Sequence, residues 1–336
     1  MAKKSPLTIA DIARLANVSK STVSRALNDS PLIAEETKER IRALAREHNF
    51  RLNAPARRLS LRQSSTIAFV THSYHDDYSL TDLFVLEIMG SITHELSRSG
   101  YDLLVVRVDP RDTDWADQYL SSGKVDGFIL MTSTRKRFHI QKLVNLGAPF
   151  IIWGVPSEGC RCSSVTGDNF NGGKLAANHL IQSGRRRIAF LCGPEDELEA
   201  QGRFKGYRAA LQEAGLPLDP ALLAYGDWSD SSGAAAMRRL LEQAPDLDAV
   251  FVCGDLMAVA ALKTVQELGR KVPEEIAVVG YDDLSIAAFS SPPLTTIRQN
   301  IPLAGRLLAR TLIDTIQSGA ISNITVPVEL VVRQSA

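Results

Sequence analysis

The chain has 336 residues, 45% of them apolar and 23% charged, a soluble globular composition long enough for two or three domains, which excludes a disordered polypeptide. Its formal charge of zero is unevenly divided: residues 1–62 carry thirteen Lys or Arg against six Asp or Glu, net +7, leaving 25 against 32, net −7, in residues 63–336. A basic head on an acidic body points to a polyanion at one end, while the lack of an apolar run of membrane-spanning or signal-peptide length predicts a cytoplasmic protein with no membrane partner.

Residues 8–49 read as three short helices. Apolar residues fall at Ile9, Ile12, Ala13 and Ala16, then at Val23, Ala26 and Leu27, then at Ile41, Leu44 and Ala45, the spacing of single buried helix faces. Within TIADIARLANVSKSTVSRALND, Thr8 can cap the first helix with Asp11 three residues on. Asn17 and Val18 occupy a turn, and Ser19 can cap the second helix. That second helix would present Lys20, Ser21 and Thr22, with Arg25 one turn further. Arg can make two hydrogen bonds to guanine, and Ser, Thr and Lys can reach base edges or phosphates in a major groove. Residues 50–65, rich in arginine and without a sustained core pattern, read as a connector.

From Thr66 onward the pattern changes to short apolar runs (TIAFV, DLLVV, DGFILM, PFIIW, RIAFLC, DAVFVC, EIAVVG) separated by helical stretches. This alternation predicts parallel sheets built from right-handed crossovers, and a polar break at residues 156–169 divides them into two similar α/β lobes. A ligand cleft is expected between the lobes, at the carboxyl ends of the strands. Cys160, Cys162, Cys192 and Cys253 include no C-x-x-C and no zinc spacing; all four are read as reduced thiols, with no metal and no cofactor expected.

The run DIARLANVSKSTVSRALN resembles the headpiece of the lactose repressor (LacI/GalR) family, and the similarity continues through ERIRALAREHNFRLNAPARRL. The resemblance implies an all-α helix-turn-helix headpiece joined to an α/β two-lobed, periplasmic-binding-protein-like domain. Lys20, Ser21 and Arg25 would be base readers, with Thr8, Ser19, Thr22, Ser24 and Asn28 completing the DNA-binding set. The connector would be the family's hinge helix, with Leu59 as a minor-groove wedge and Asn53, Ala56 and Arg57 beside it. Ala34 stands where a capping Ser is usual, so the third helix is expected to fray. Leu52 and Pro55 also depart from the common pattern, and Pro55 is compatible only with a first helical turn.

The stretches GDNFNGGKLAANHLIQSGRRRIAFLCGP, GRFKGYRAAL and VVGYDDLSIAAFSSPPLTTIRQN extend the resemblance over the rest of the chain. The implied boundaries are a DNA-binding domain at 1–50, a hinge at 51–64, and an effector-binding and dimerisation domain at 65–336. Its first lobe would hold about 65–163 and 299–326, and its second about 164–296 and 327–336. Arg203 would hold an effector through its planar fork of donors, Asp282 would accept from adjacent hydroxyls, and Trp228 would offer an apolar face to a sugar ring or a base. His72, Phe84, Trp153 and Asp255 complete the candidate effector set. Gly254 replaces a common Asn, so the usual sugar contacts are incomplete.

Asp282 and Asp283 invite a glycosidase reading, but adjacent loop carboxylates diverge and no G-x-S-x-G, P-loop or G-x-G-x-x-G appears, so no enzyme activity is expected. The expected function is a sequence-specific repressor that binds a pseudo-palindromic DNA operator as a homodimer and is released by a sugar inducer. A purine-type corepressor is the alternative, with a non-regulatory sugar-binding protein or an architectural DNA-binding protein behind it. No leucine heptad follows ITVPVELVVRQSA, so a dimer rather than a tetramer is expected.

Overall fold

The computed structural model describes residues 7–27, 29–48, 50, 63–72, 82–109, 112, 114–131 and 137–336. It divides into one compact unit ending at Ser64 and a second from Ser65 to Ala336. Asn28, Asn53, Ala56, Arg57 and Leu59, and the side chain of His72, lie outside the described residues.

The first unit has three helices, α1 (Ile9–Leu15), α2 (Lys20–Leu27) and α3 (Glu35–Glu47). Ile12, Ala13, Ala16, Val23, Ala26 and Ile41 form its core, drawn from the apolar faces predicted above. The Asp11 carboxylate accepts from the Thr8 backbone N–H at 2.9 Å and from its hydroxyl at 2.7 Å, which closes the amino end of α1. Asn17 takes a left-handed φ of 54° in the turn, a conformation its short polar side chain tolerates. As read from Ala34, no side chain caps α3. The helix nevertheless begins at Glu35, where Glu35 and Glu36 complement the amino-terminal dipole. Lys38 and Arg42 also both reach Asp29, at 3.0 and 2.8 Å, tying α3 to the loop before it.

The second unit carries two six-stranded sheets. The first is built from β1 (Thr66–His72), β2 (Asp102–Val108), β3 (Gly127–Met131), β4 (Phe150–Trp153), β5 (Ser163–Gly167) and β11 (Asn323–Val326), in the order β11-β5-β4-β3-β1-β2. The second contains β6 (Ile188–Cys192), β7 (Leu223–Tyr225), β8 (Ala249–Val252), β9 (Ala277–Asp282), β10 (Thr295–Gln299) and β12 (Val328–Val331), in the order β12-β10-β9-β8-β6-β7. All neighbours are parallel except β10 and β12. Strands β4, β6 and β8 are buried along their length, as expected of strands covered on both faces by crossover helices. Those helices are α4 (Leu83–Arg98), α5 (Trp115–Ser121), α6 (Arg137–Asn145), α7 (Asn169–Gln182), α8 (Leu198–Glu213), α9 (Asp230–Gln243), α10 (Asp255–Glu267), α11 (Ser285–Phe289) and α12 (Ile301–Ser318). Among the described residues, none is long and apolar enough to cross a membrane.

Two details differ from the sequence reading. The polar segment SSVTG, Ser163–Gly167, is a strand of the first sheet between β4 and β11, so the chain crosses to the second lobe after Gly167 rather than at 163. Likewise β10 keeps residues up to Gln299 in the second sheet. The crossings lie side by side: the Asp168 N–H donates to the Val326 carbonyl at 3.0 Å, and a Cβ on Gly167 would run into the Gln299 side chain. In addition, Cys160 and Cys162 are paired as a disulfide, contrary to the expectation of four reduced thiols; Cys192 and Cys253 are free.

Helices α7 and α8 pack at backbone contact. A Cβ on Gly173 would strike the Arg203 backbone, and one on Gly206 would strike the Phe170 carbonyl and the Lys174 nitrogen. Gly206→Ala is therefore expected to destabilise the chain by about 1–3 kcal/mol, because rigid backbone must separate. Thermal denaturation checks this, and an unchanged midpoint would contradict the packing argument.

Candidate DNA-reading helix and candidate effector site

On α2, Val23 and Ala26 face the core, while Ser19, Lys20, Ser21 and Arg25 are exposed and Thr22 and Ser24 half-buried. The Ser19 hydroxyl accepts the Thr22 N–H at 3.0 Å and lies 2.7 Å from the Ser21 hydroxyl and 2.8 Å from that of Thr22. This caps the helix and gathers three hydroxyls at its amino end, where unpaired N–H groups favour a phosphate. On α3, Lys38 and Arg42 are paired with Asp29 and Glu35. Among the described residues, the Lys20 and Arg25 side chains have no such partner. Their charges stand uncompensated on the exposed face of α2.

The second candidate site lies at the carboxyl ends of β6, β8 and β9. Arg203, projecting from α8 and 5% exposed, is its centre. Its Nε donates to Asn169 Oδ1 at 2.9 Å, its Nη1 donates to the Cys253 carbonyl, and its Nη2 lies 4.0 Å from Asp282 Oδ1. The guanidinium sits 3.7 Å from the Tyr281 ring centroid and 5.6 Å from that of Trp228. A planar guanidinium can lie flat on a ring and still donate in its own plane, which a Lys ammonium cannot do. Trp228 rests on the strand ends through small residues: a Cβ on Gly193 would run into its indole, and one on Gly254 would lie 3.5 Å from its Cε3. The close approach of the indole therefore depends on Gly193, while a Cβ at position 254 would only touch it.

Asp282 accepts from Gln299 Nε2 at 2.7 Å and from the Asp255 N–H at the start of α10. Burial pushes its carboxyl up to about 7; Arg203, Gln299 and the Asp255 N–H oppose this, while Asp82, which caps α4 in the first lobe, adds to it. Asp282, Asp283 and Trp228 have φ of 117°, 59° and 75°, three non-glycine residues in a costly region within one site. Asp283 turns away from Asp282 and is held by Arg298 at 2.6 Å and Arg333 at 2.5 Å. The two carboxylates do not face one another, as a glycosidase pair would require.

Asp255 is corrected. It is fully buried, with one oxygen accepting from Thr296 Oγ1 at 2.6 Å and the other from the Leu284 N–H at 2.8 Å. Its carboxylate anchors the loop after β9, and its backbone rather than its side chain serves Asp282. Phe84 is half-buried at the start of α4, and Trp153, 8% exposed, lies 5.6 Å from it as part of the first-lobe core. The lobes meet beside the site. Leu284 inserts into the first-lobe core, and the Val155 N–H donates to Glu199 Oε1 at 2.8 Å. Asn169, Tyr281 and Gln299 were missed as site residues, although each lies inside a quoted motif. No spacing rule shows that Gln299, seventeen positions from Asp282, binds it.

Residues 8–53 match the bacterial regulatory proteins of the lacI family, and residues 177–336 match a periplasmic binding protein-like domain. The HTH-type transcriptional regulator CelR of Thermobifida fusca is 37% identical over 98% of both chains, and the HTH-type transcriptional repressor PurR of Haemophilus influenzae is 30% identical over 98% of both. Among solved structures, a CelR–cellobiose complex aligns with 98% of this chain and 100% of its own at 35% identity and a TM-score of 0.75. A lac repressor dimer bound to operator and an anti-inducer aligns with 98% of this chain and 99% of its own at 29% identity and a TM-score of 0.84.

Proposed function

The chain belongs to the lacI family of bacterial regulatory proteins and is a DNA-binding transcription regulator, from which we propose that it is a cytoplasmic, non-enzymatic repressor released from its operator by a sugar. The carrying observation is the convergence of Arg203, Asp282 and Trp228: a fork of donors, an acceptor for vicinal hydroxyls and an apolar platform, which together match the two kinds of surface on a sugar ring. A β-linked glucose disaccharide is the first ligand to test, given the CelR relative. As a dimer, the protein would set two copies of α2 in successive major grooves, with Lys20, Ser21 and Arg25 on base edges. The domain limits 1–50, 51–64 and 65–336, and the hinge role of Leu59, belong to the same proposal. Edge strand β2 exposes Leu104 and Val105, α4 exposes Leu86, and Phe289 is 87% exposed, apolar surface that a second copy would cover.

Ligand closes the cleft and shifts the balance between two arrangements, and only its differential affinity for them sets the sign. The testing experiment is calorimetry with cellobiose and with purine bases, followed by operator release with whichever binds. Binding of a purine base that tightens operator affinity would replace the inducer reading with the corepressor one.

The pH dependence has a defined sign. The folded carboxyl of Asp282 titrates near 7, above its ordinary 3.8, so ionising it disfavours the ligand-free fold, and its contribution to stability declines as pH rises from about 4 through 7. A sugar whose hydroxyls donate to the carboxylate favours the ionised form. Its affinity is therefore expected to rise between pH 6 and 8, with proton release on binding, and Asp282→Asn should flatten the profile. Calorimetry in buffers of different ionisation enthalpy measures both, and a flat wild-type profile would count against Asp282 as the hydroxyl acceptor.

A further inference from the structure

Cys192 ends β6 and Cys253 follows β8, neighbouring parallel strands whose register pairs Leu191 with Val252. One step further the two cysteines stand side by side on the same face of the sheet, and the Cys253 N–H still donates to the Leu191 carbonyl at 2.9 Å. Adjacent strands lie about 4.7–4.9 Å apart, inside the roughly 4.4–6.8 Å of Cα separation that a disulfide accepts. Both thiols are free, 5% and 0% exposed, and near enough for each to perturb the other's ionisation. Burial opposes ionisation of Cys253. The Cys192 thiol, the Arg203 charge and the Gly193 N–H outweigh it and hold the Cys253 thiol below its ordinary value, while the neighbouring Cys253 and burial push Cys192 up. Two free thiols thus sit side by side within disulfide reach, beneath the Arg203 charge.

We propose that Cys192 and Cys253 form a hydroperoxide-oxidised dithiol whose closure to a cross-strand disulfide alters the site above it. The Cys253 thiolate attacks one oxygen of hydrogen peroxide, the O–O bond breaks, and the departing hydroxide takes up a proton as water, leaving a sulfenic acid. The Cys192 thiol gives up its proton and its sulfur attacks the sulfenic sulfur; the S–O bond breaks and a second water leaves. Two thiols and one peroxide become one disulfide and two waters. Each cysteine is followed by a glycine on which Trp228 rests, and the Cys253 carbonyl accepts from Arg203, so the side-chain and backbone adjustment that closes the bond reaches both the platform and the cation. That consequence for a sugar rests on the effector reading, whereas formation of the bond does not.

The test treats the full-length protein with hydrogen peroxide, then denatures, alkylates, digests and maps peptides by mass spectrometry. The expected product links the Cys192 and Cys253 peptides and is reversed by dithiothreitol. Tryptophan emission should change with the same dose dependence, and cellobiose affinity should fall about tenfold (about 1.4 kcal/mol) and recover on reduction. Both cysteines still alkylated, a sulfinate at Cys253 beside a free Cys192, or a linked product with unchanged emission would each overturn the proposal. If reduced protein binds no cellobiose while linkage and the emission change occur, the dithiol stands and the sugar reading fails.

Discussion

Arg25→Ala is expected to lower affinity for an operator selected from random duplexes by about 30-fold to 10^4-fold. One bidentate arginine–guanine contact is worth about 1–3 kcal/mol of discrimination, and a dimer loses two of them. The side chain is exposed on α2 and has no ionic partner among the described residues, so its removal leaves no buried charge behind and the headpiece should keep its melting temperature. Affinity for random DNA should fall far less, because that term comes from phosphate neutralisation. Arg25→Lys should restore the random-DNA term without the operator preference, since an ammonium keeps the charge and loses the planar fork. Fluorescence anisotropy at fixed salt separates these outcomes. Equal losses on operator and random duplexes would make Arg25 a phosphate contact and move base reading to Lys20 and Ser21.

Arg203→Ala is expected to weaken sugar binding by about 100-fold or more while operator binding persists, giving a protein that no longer releases DNA. Two hydrogen bonds from a charged group, at about 1.5–3 kcal/mol each, supply that magnitude. The variant should still fold, because losing the cation beside Asp282 removes an influence that holds its carboxyl down. The carboxyl, already near 7, would then titrate higher and stay neutral at neutral pH. Arg203→Lys should not rescue binding. A lysine cannot at once lie over the Tyr281 ring, donate to Asn169 and reach the Cys253 carbonyl. Calorimetry for the sugar and anisotropy for DNA check the two halves separately. Unchanged sugar affinity in Arg203→Ala would place the effector elsewhere.

The headpiece is where local sequence carried most of the answer. Capping at Thr8 and Ser19, the Asn17 turn and the apolar spacing through Ile41 act within a few residues of one another, so short-range chemistry specifies the helices and their inward faces. In the second unit the apolar runs were equally legible, because strands covered on both faces must be apolar throughout. SSVTG escaped recognition for the converse reason. It is polar, and it is a strand because β4 and β11 flank it and satisfy its backbone.

The site divides along the same line. Arg203, Trp228 and Asp282 could be named from residue type and motif, since their chemistry is intrinsic to the side chain. Which of their neighbours act was decided by the tertiary fold. Asp255 and Asp282 both stand at strand ends and both are acids, yet Thr296 and the Leu284 N–H take up the first while Gln299 and Arg203 approach the second. Those partners come from other strands and helices, brought in by crossings that no local pattern encodes. From its sequence alone this protein could be read as a basic helical reader joined to a two-lobed α/β body with its ligand chemistry at strand ends. Only the packed structure decided which carboxylate is available and which is structural, and that two distant cysteines meet beneath the site, because burial and hydrogen bonding between remote segments set both.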